Sequence, residues 1–170
     1  MVEVELTENE LATAKKIAEQ RMQTSRNQSI PNRKKSSEKD IEIDMKGMAG
    51  ELVVAKHLNL YPDLTIQTGK GGVDLTLHNG TTLDVKTTHH PQGKLIAGEY
   101  KKSRGHAEIF ILVTGDIHEE NQPFHIRGYE TSENLFKDEN YGWLANSSKC
   151  YQIPQEDLKP IQKLQKDPAP

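Results

Sequence analysis

Apolar positions near the start of the chain recur at helical spacing. Leu11, Ala14, Ile17, Ala18 and Met22 follow Thr7-Glu8-Asn9-Glu10, which has the form of a capping box, so the pattern predicts a helix over about residues 8–24. Met48, Leu52, Ala55 and Leu58 form a second stripe uninterrupted by proline and predict a helix over about 43–59. Glu51 belongs to that stripe, three residues after Met48 and four before Ala55, so its carboxylate is expected to point toward the protein. Gly47 and Gly50 beside it weaken a helix, which makes sense where another backbone approaches closely. Residues 25–40 between the two helices are polar, contain Pro31 and hold Ile30 as their only large apolar group; they read as a connector or arm.

After Tyr61-Pro62 the period changes from 3.6 to 2. Leu64–Gln67 reads as a short strand, and Gly71-Gly72 opens another in which Val73, Leu75 and Leu77 alternate with Asp74 and Thr76. His78-Asn79-Gly80 is a turn signal, and beyond it Leu83, Val85 and Thr87 alternate with Asp84, Lys86 and Thr88. Register decides what this hairpin can do. A two-residue Asn79-Gly80 turn opposes Asp74 to Val85 and separates the two aspartates. A three-residue loop with Gly80 in the left-handed region opposes Leu77 to Thr81, Leu75 to Leu83 and Asp74 to Asp84, and is the expected form. Ile109–Val113 is a continuous apolar run, expected as a strand buried on both faces. Phe124–Tyr129 alternates as a further strand, Ser132–Phe136 has helical character, and Tyr151–Pro154 reads as a last short strand. Residues 159–170 read as a loose tail. The expected division is 1–40, N-terminal helix and basic connector; 41–158, core; 159–170, flexible tail. The fold class is α/β, with a mixed central sheet flanked by helices.

Composition narrows the classes. With 34% hydrophobic and 28% charged residues and no long apolar run, the chain reads as polar, without a membrane span. The residues following Met1 lack a signal-peptide pattern and the single cysteine, Cys150, has no internal partner, so a cytoplasmic, reducing location is expected. A formal charge of −3 offers no global attraction to nucleic acid, but its distribution is uneven. Between Lys86 and His106, Lys86, Lys94, Lys101, Lys102 and Arg104 face Glu99 alone, while Arg26, Arg33, Lys34 and Lys35 form a second basic stretch. Both are candidate phosphate contacts, with solvated loops as the plainer alternative.

The pattern acid, any residue, lysine occurs four times, at Asp44/Lys46, Asp84/Lys86, Glu99/Lys101 and Asp157/Lys159. Only Asp84/Lys86 lies on a predicted strand, with both side chains on one face, after Asp74 on the partner strand and Glu51 on an inward helix face. Taken alone that pair reads as a surface salt bridge, and Glu51 could merely pair with a lysine such as Lys46. Taken together, three carboxylates need positive charge among them. Magnesium or manganese on Asp74 and Asp84, with Glu51 at the margin, supplies it, while Lys86 orients or activates a water and offsets phosphate charge. Seven histidines with one cysteine and no spaced ligand doublets make a structural zinc site a poor reading. His89 and His90, if extended, point to opposite sides; Tyr141 and Trp143 are expected to pack in a C-terminal cluster.

Gly50-Glu51-Leu52-Val53-Val54-Ala55, Gly72-Val73-Asp74-Leu75 and Leu83-Asp84-Val85-Lys86-Thr87-Thr88 together resemble the PD-(D/E)XK phosphodiesterase superfamily, over about residues 45–115. That group includes type II restriction enzymes, Holliday-junction resolvases and many phage nucleases. The resemblance implies a restriction-endonuclease-like core, metal held by Asp74, Asp84 and the Val85 carbonyl, a supporting acid at Glu51 and Lys86 as catalytic lysine. Val73 stands where the family name has proline. The segment between the lysine strand and the buried strand reads as a loop with a short helix near Glu99–Ser103, where the family has a longer helix. The functional expectation is a magnesium- or manganese-dependent endonuclease of DNA repair, recombination or phage DNA processing. Its expected DNA contacts are Arg33, Lys34, Lys35, Lys94, Lys101, Lys102 and Arg104. RNA as substrate and homodimerisation through the N-terminal helix stay open. The alternative is a catalytically inactive nucleic-acid-binding or adaptor protein that keeps the fold.

Overall fold

The computed structural model describes residues 1–27, 40–66, 73–103, 107–118, 123–144 and 148–166. Helix α1, Glu8–Asn27, begins as its sequence dictates: the Thr7 N–H donates to Glu10 Oε2 at 2.7 Å and the Glu10 N–H donates to Thr7 Oγ1 at 3.3 Å, a reciprocal cap. Helix α2, Asp40–Leu58, stops where Asn59 turns left-handed (φ 54°) and the Leu60 N–H reaches back to the Ala55 carbonyl at 2.8 Å. Ala14 and Ala18 of α1 are buried in the same cluster as Met48, Leu52 and Val53 of α2. The N-terminal helix therefore belongs to the main core and is no separate appendage.

The strands are β1, Val2–Val4; β2, Leu75–Thr76; β3, Thr82–Thr88; β4, Leu95–Ala97; β5, Ile109–Thr114; β6, Phe124–Thr131; β7, Tyr141–Leu144; and β8, Ser148–Ile153. Short helices α3, Glu99–Ser103, and α4, Ser132–Leu135, complete the set. Five strands make a mixed sheet in the order β1-β6-β5-β3-β2, with β3 and β5 parallel and the other pairs antiparallel. The remaining three make an antiparallel sheet, β4-β8-β7. Every residue of β5 is buried, and its alternation divides the core. Ile109, Ile111 and Val113 join the cluster under α1 and α2, while Phe110 and Leu112 join Leu95, Leu135, Tyr151 and Ile153 beneath the smaller sheet. The larger sheet is thus covered by helices on one face and by the smaller sheet and α4 on the other. No helix among the described residues is long and apolar enough to cross a membrane.

The hairpin takes the three-residue register. Leu75 opposes Leu83, Thr76 opposes Thr82, the Leu77 N–H donates to the Thr81 carbonyl at 2.8 Å, and Gly80 sits at φ 89°, where a side chain is strained. Other expectations change. Leu64–Ile66 forms no strand, and Gln67 lies outside the described residues. Strands β1, β4 and β7 have no counterpart in the sequence reading, being three or four residues long and completed only by distant partners. The expected loose tail is anchored as far as residue 166. Lys159 bridges to Tyr129, its ammonium meets the buried Glu130 at 2.7 Å, and Ile161 is 1% exposed. Residues 167–170 lie outside the description.

Helix α2 rests on β3 at one tight point. A Cβ on Gly50 would clash with Thr87 Oγ1, whereas one on Gly47 would meet nothing within 4 Å. The close approach expected at the two glycines is found at Gly50 and not at Gly47, and what approaches is the Thr87 side chain rather than another backbone. Gly50→Ala is expected to cost about 1–3 kcal/mol by overpacking. Gly47→Ala is expected to be neutral or to stabilise by up to about 1 kcal/mol. Denaturant titration of both variants checks this, and equal effects at the two positions would contradict the packing.

Candidate active site

Strand β3 presents two faces of opposite character. Leu83 and Val85 enter the core under α2, and Thr87 meets Gly50. Asp84 and Lys86, alternating with them, point to the other face, in register with Phe110 and Leu112 of β5. Asp84 is 1% exposed. Its carboxylate is held by two ammonium groups, with Lys86 on Oδ1 and Lys101 of α3 on Oδ2 at 2.5 Å. Burial alone would raise the Asp84 carboxyl, but Lys86 and Lys101 outweigh it and keep it below its ordinary value. Lys86 is pulled the opposite way: burial disfavours its charge, yet Asp84 and Asp74 hold it above the usual lysine value. Its tip lies 6.0 Å over the Phe110 ring and its side chain is 30% exposed, so a charged ammonium faces both the carboxylate and solvent.

Asp74 stands at the end of β2, where the ladder becomes irregular: its N–H reaches the carbonyl of Leu83, the residue that Leu75 opposes. The carboxylate then takes the place of a ladder partner, Oδ2 accepting from the Val85 N–H at 2.7 Å. Burial, with Asp84 adding to it, pushes Asp74 up to about 6 despite Lys86 and that hydrogen bond. Glu51 lies on the helix side. Its carboxylate pairs with Arg21 of α1 at 3.4 Å, and Arg21 also donates to the carbonyls of Asp63, at 2.7 Å, and Thr65, at 3.1 Å. Burial and then Asp74 push Glu51 up to about 8, with Arg21 opposing.

The four predicted residues therefore form a series. Asp74 links Glu51 on one side of the sheet to Asp84 and Lys86 on the other. Among the described residues no three histidine, cysteine, aspartate or glutamate side chains are close enough to share a metal ion. Val85 meets the site through its N–H. Of the expected basic contacts, Lys102 is exposed, 3.0 Å from the Tyr151 hydroxyl and 3.4 Å from Asp138, and Lys94 meets Gln152 at 3.1 Å. Lys101, expected on the DNA side, turns inward to Asp84. Arg33, Lys34, Lys35 and Arg104 lie outside the described residues. The His89 and His90 rings lie against each other, centroids 3.9 Å apart, because the chain bends after Thr88. Lys46 meets His89 Nδ1 at 3.1 Å, and the cation paired with Glu51 is Arg21 of α1. Trp143 is 60% exposed with Lys149 5.5 Å over its ring, so it does not pack in a C-terminal cluster.

Arg21 is a member that the sequence reading did not point to, and Lys101, expected on DNA, belongs instead to Asp84. Arg21 had a signal, since it follows Ala14 by seven residues and Ala18 by three and so shares their face. Lys101 had none, because a five-residue helix has no face defined by periodicity. No protein-family model, curated protein or solved structure matches the chain.

Glu51 and Asp74 bind protons more tightly in the folded chain than their ordinary values allow. Their contribution to stability is full below about pH 4 and is lost as pH rises through about 6 for Asp74 and about 8 for Glu51. The cation-free protein is therefore expected to lose thermal stability between about pH 4 and 8. Glu51→Gln should flatten the upper part of that fall and Asp74→Asn the lower part, each by several degrees at the alkaline end. Melting curves across this range check it; variants whose profiles run parallel to the wild type would show that neither carboxyl is strained.

Proposed function

We propose that the chain is a magnesium- or manganese-dependent endonuclease acting on DNA, built on a restriction-endonuclease-like core, with Asp74, Asp84, Lys86 and Glu51 as its site. The observation that carries this reading is the pairing of Asp84 with Lys86 on one face of β3, with Asp74 beside them held above its ordinary value by burial and the Asp84 charge. Two neighbouring carboxylates without a thiol, Asp74 and Asp84, are the donor chemistry of a hard divalent cation, and the burial that raises Asp74 is what such a cation relieves. Asp74, Asp84 and the Val85 carbonyl would hold it, with Glu51 supporting. When bound, it would supply an acidified water and charge for the phosphoryl oxygens.

The chain's own groups have separable roles. Lys86 stays protonated, so it acts as a fixed positive charge that orients a water or a phosphate oxygen. The Val85 N–H holds Asp74 in place, and Arg21 holds Glu51 against the 63–65 segment. Lys94 and Lys102 are available for phosphate contacts at the surface.

A second reading has its own observation. Both Asp84 oxygens are occupied by ammonium groups, as in a structural ion-pair network, which favours an inactive nucleic-acid-binding or adaptor protein. One experiment separates the two. The purified chain is incubated with single-stranded, duplex and branched DNA, with magnesium or manganese and then with chelator. Cation-dependent cutting is expected, slowed at least about a hundredfold in Lys86→Ala and in Asp84→Asn, with folding checked by circular dichroism. Equal cutting by the variants would remove the proposed site. Retention of DNA that weakens with salt, without cutting under any cation, would support the binding reading.

A further inference from the structure

Lys101 and Lys102 are neighbours on α3 with opposite surroundings. Lys102 projects outward, its side chain 45% exposed, and helps tether α3 to Tyr151; Glu99 at the other end accepts from the Tyr141 hydroxyl at 3.1 Å. Lys101 projects inward, its side chain 12% exposed, to Asp84 Oδ2. It thus occupies one oxygen of the carboxylate that a cation would need, while Lys86, from the same strand as Asp84, occupies the other.

We propose that Lys101 is a positioning residue that serves as a built-in counter-ion for Asp84, and that Lys101 and a divalent cation exchange on that carboxylate. The inference rests on the metal-dependent reading above and specifies how its site is loaded. A carboxylate as buried as Asp84 needs positive charge in every state, because an isolated buried ion is costly. A divalent cation, however, is repelled by two ammonium groups already on the same carboxylate. Lys101 is the group able to leave. It is held by its flexible four-carbon stem, whereas α3 itself stays anchored at both ends. Lys86, by contrast, is fixed on β3 and faces Asp74 as well as Asp84. Lys101 therefore sets the cation affinity of the site without supplying a ligand.

Manganese binding to the full chain, followed by electron paramagnetic resonance and calorimetry, tests this in wild type, Lys101→Met and, as a control for net charge at an exposed lysine away from α3, Lys163→Met. Lys101→Met is expected to bind manganese about ten- to a hundredfold more tightly than wild type, the range of one charge-assisted contact removed from competition. Lys163→Met should match wild type. Without cation, Lys101→Met should melt below wild type, and saturating manganese should close that gap; a purely structural ion pair would leave the gap unchanged. Lys101→Met binding no more tightly than wild type, or Lys163→Met tightening equally, would overturn the exchange and leave the metal-dependent reading standing. Absence of manganese binding in all three proteins would overturn both.

Discussion

A carboxylate in the middle of a packed sheet constrains everything around it. Asp84 is as inaccessible as its apolar neighbours Leu83 and Val85, yet it keeps its charge because two lysines converge on it. One comes from the next same-face position of β3 and needs only the pleat. The other comes from the connection between the parallel strands β3 and β5, so α3 must be placed to deliver it. Breaking such a pair leaves an unpaired buried charge, which is more damaging than never having had it.

Strand β3 is where the packing and the charge meet. One of its faces accepts α2 through Gly50 and the apolar positions, and the other carries Asp84 and Lys86 toward the smaller sheet. Because the side-chain period is two, a one-residue slip against β2 or β5 would exchange the faces and set both charged groups against the helix. The loop around Gly80 and the six paired positions along β5 fix that register from opposite sides. The irregular end of β2 then frees the Val85 N–H for Asp74, placing a second carboxylate at the sheet edge. Glu51 completes the series from the helix side, with Arg21 favouring its charged form against burial.

Elements governed by neighbours in sequence were legible. The capping pair at Thr7 and Glu10, the two long helices, the apolar strand Ile109–Thr114 and the three-residue hairpin loop all follow from local spacing and turn chemistry. Asp84 and Lys86 were legible as a pair for the same reason. Strands β1, β4 and β7 were not, because segments this short carry too few alternations to define a face and exist only where a partner strand waits. The chain beyond Lys159 looked unstructured for want of periodicity, yet one buried isoleucine and one ion pair to Glu130 anchor it.

The sequence by itself determined which residues share a face: Asp84 with Lys86, Glu51 with the inward stripe of its helix, Asp74 opposite the lysine strand. These relations depend on backbone periods of 2 and 3.6 and on the length of one loop. Only the tertiary structure decided which charges meet across the chain. Arg21 reaches Glu51 over 30 positions and Lys101 reaches Asp84 over 17, because the packing of α1 on α2 and the placement of α3 bring them together. A lysine on a short helix can turn to solvent or to a buried carboxylate with equal local ease, and the unmet charge of Asp84 settled the choice.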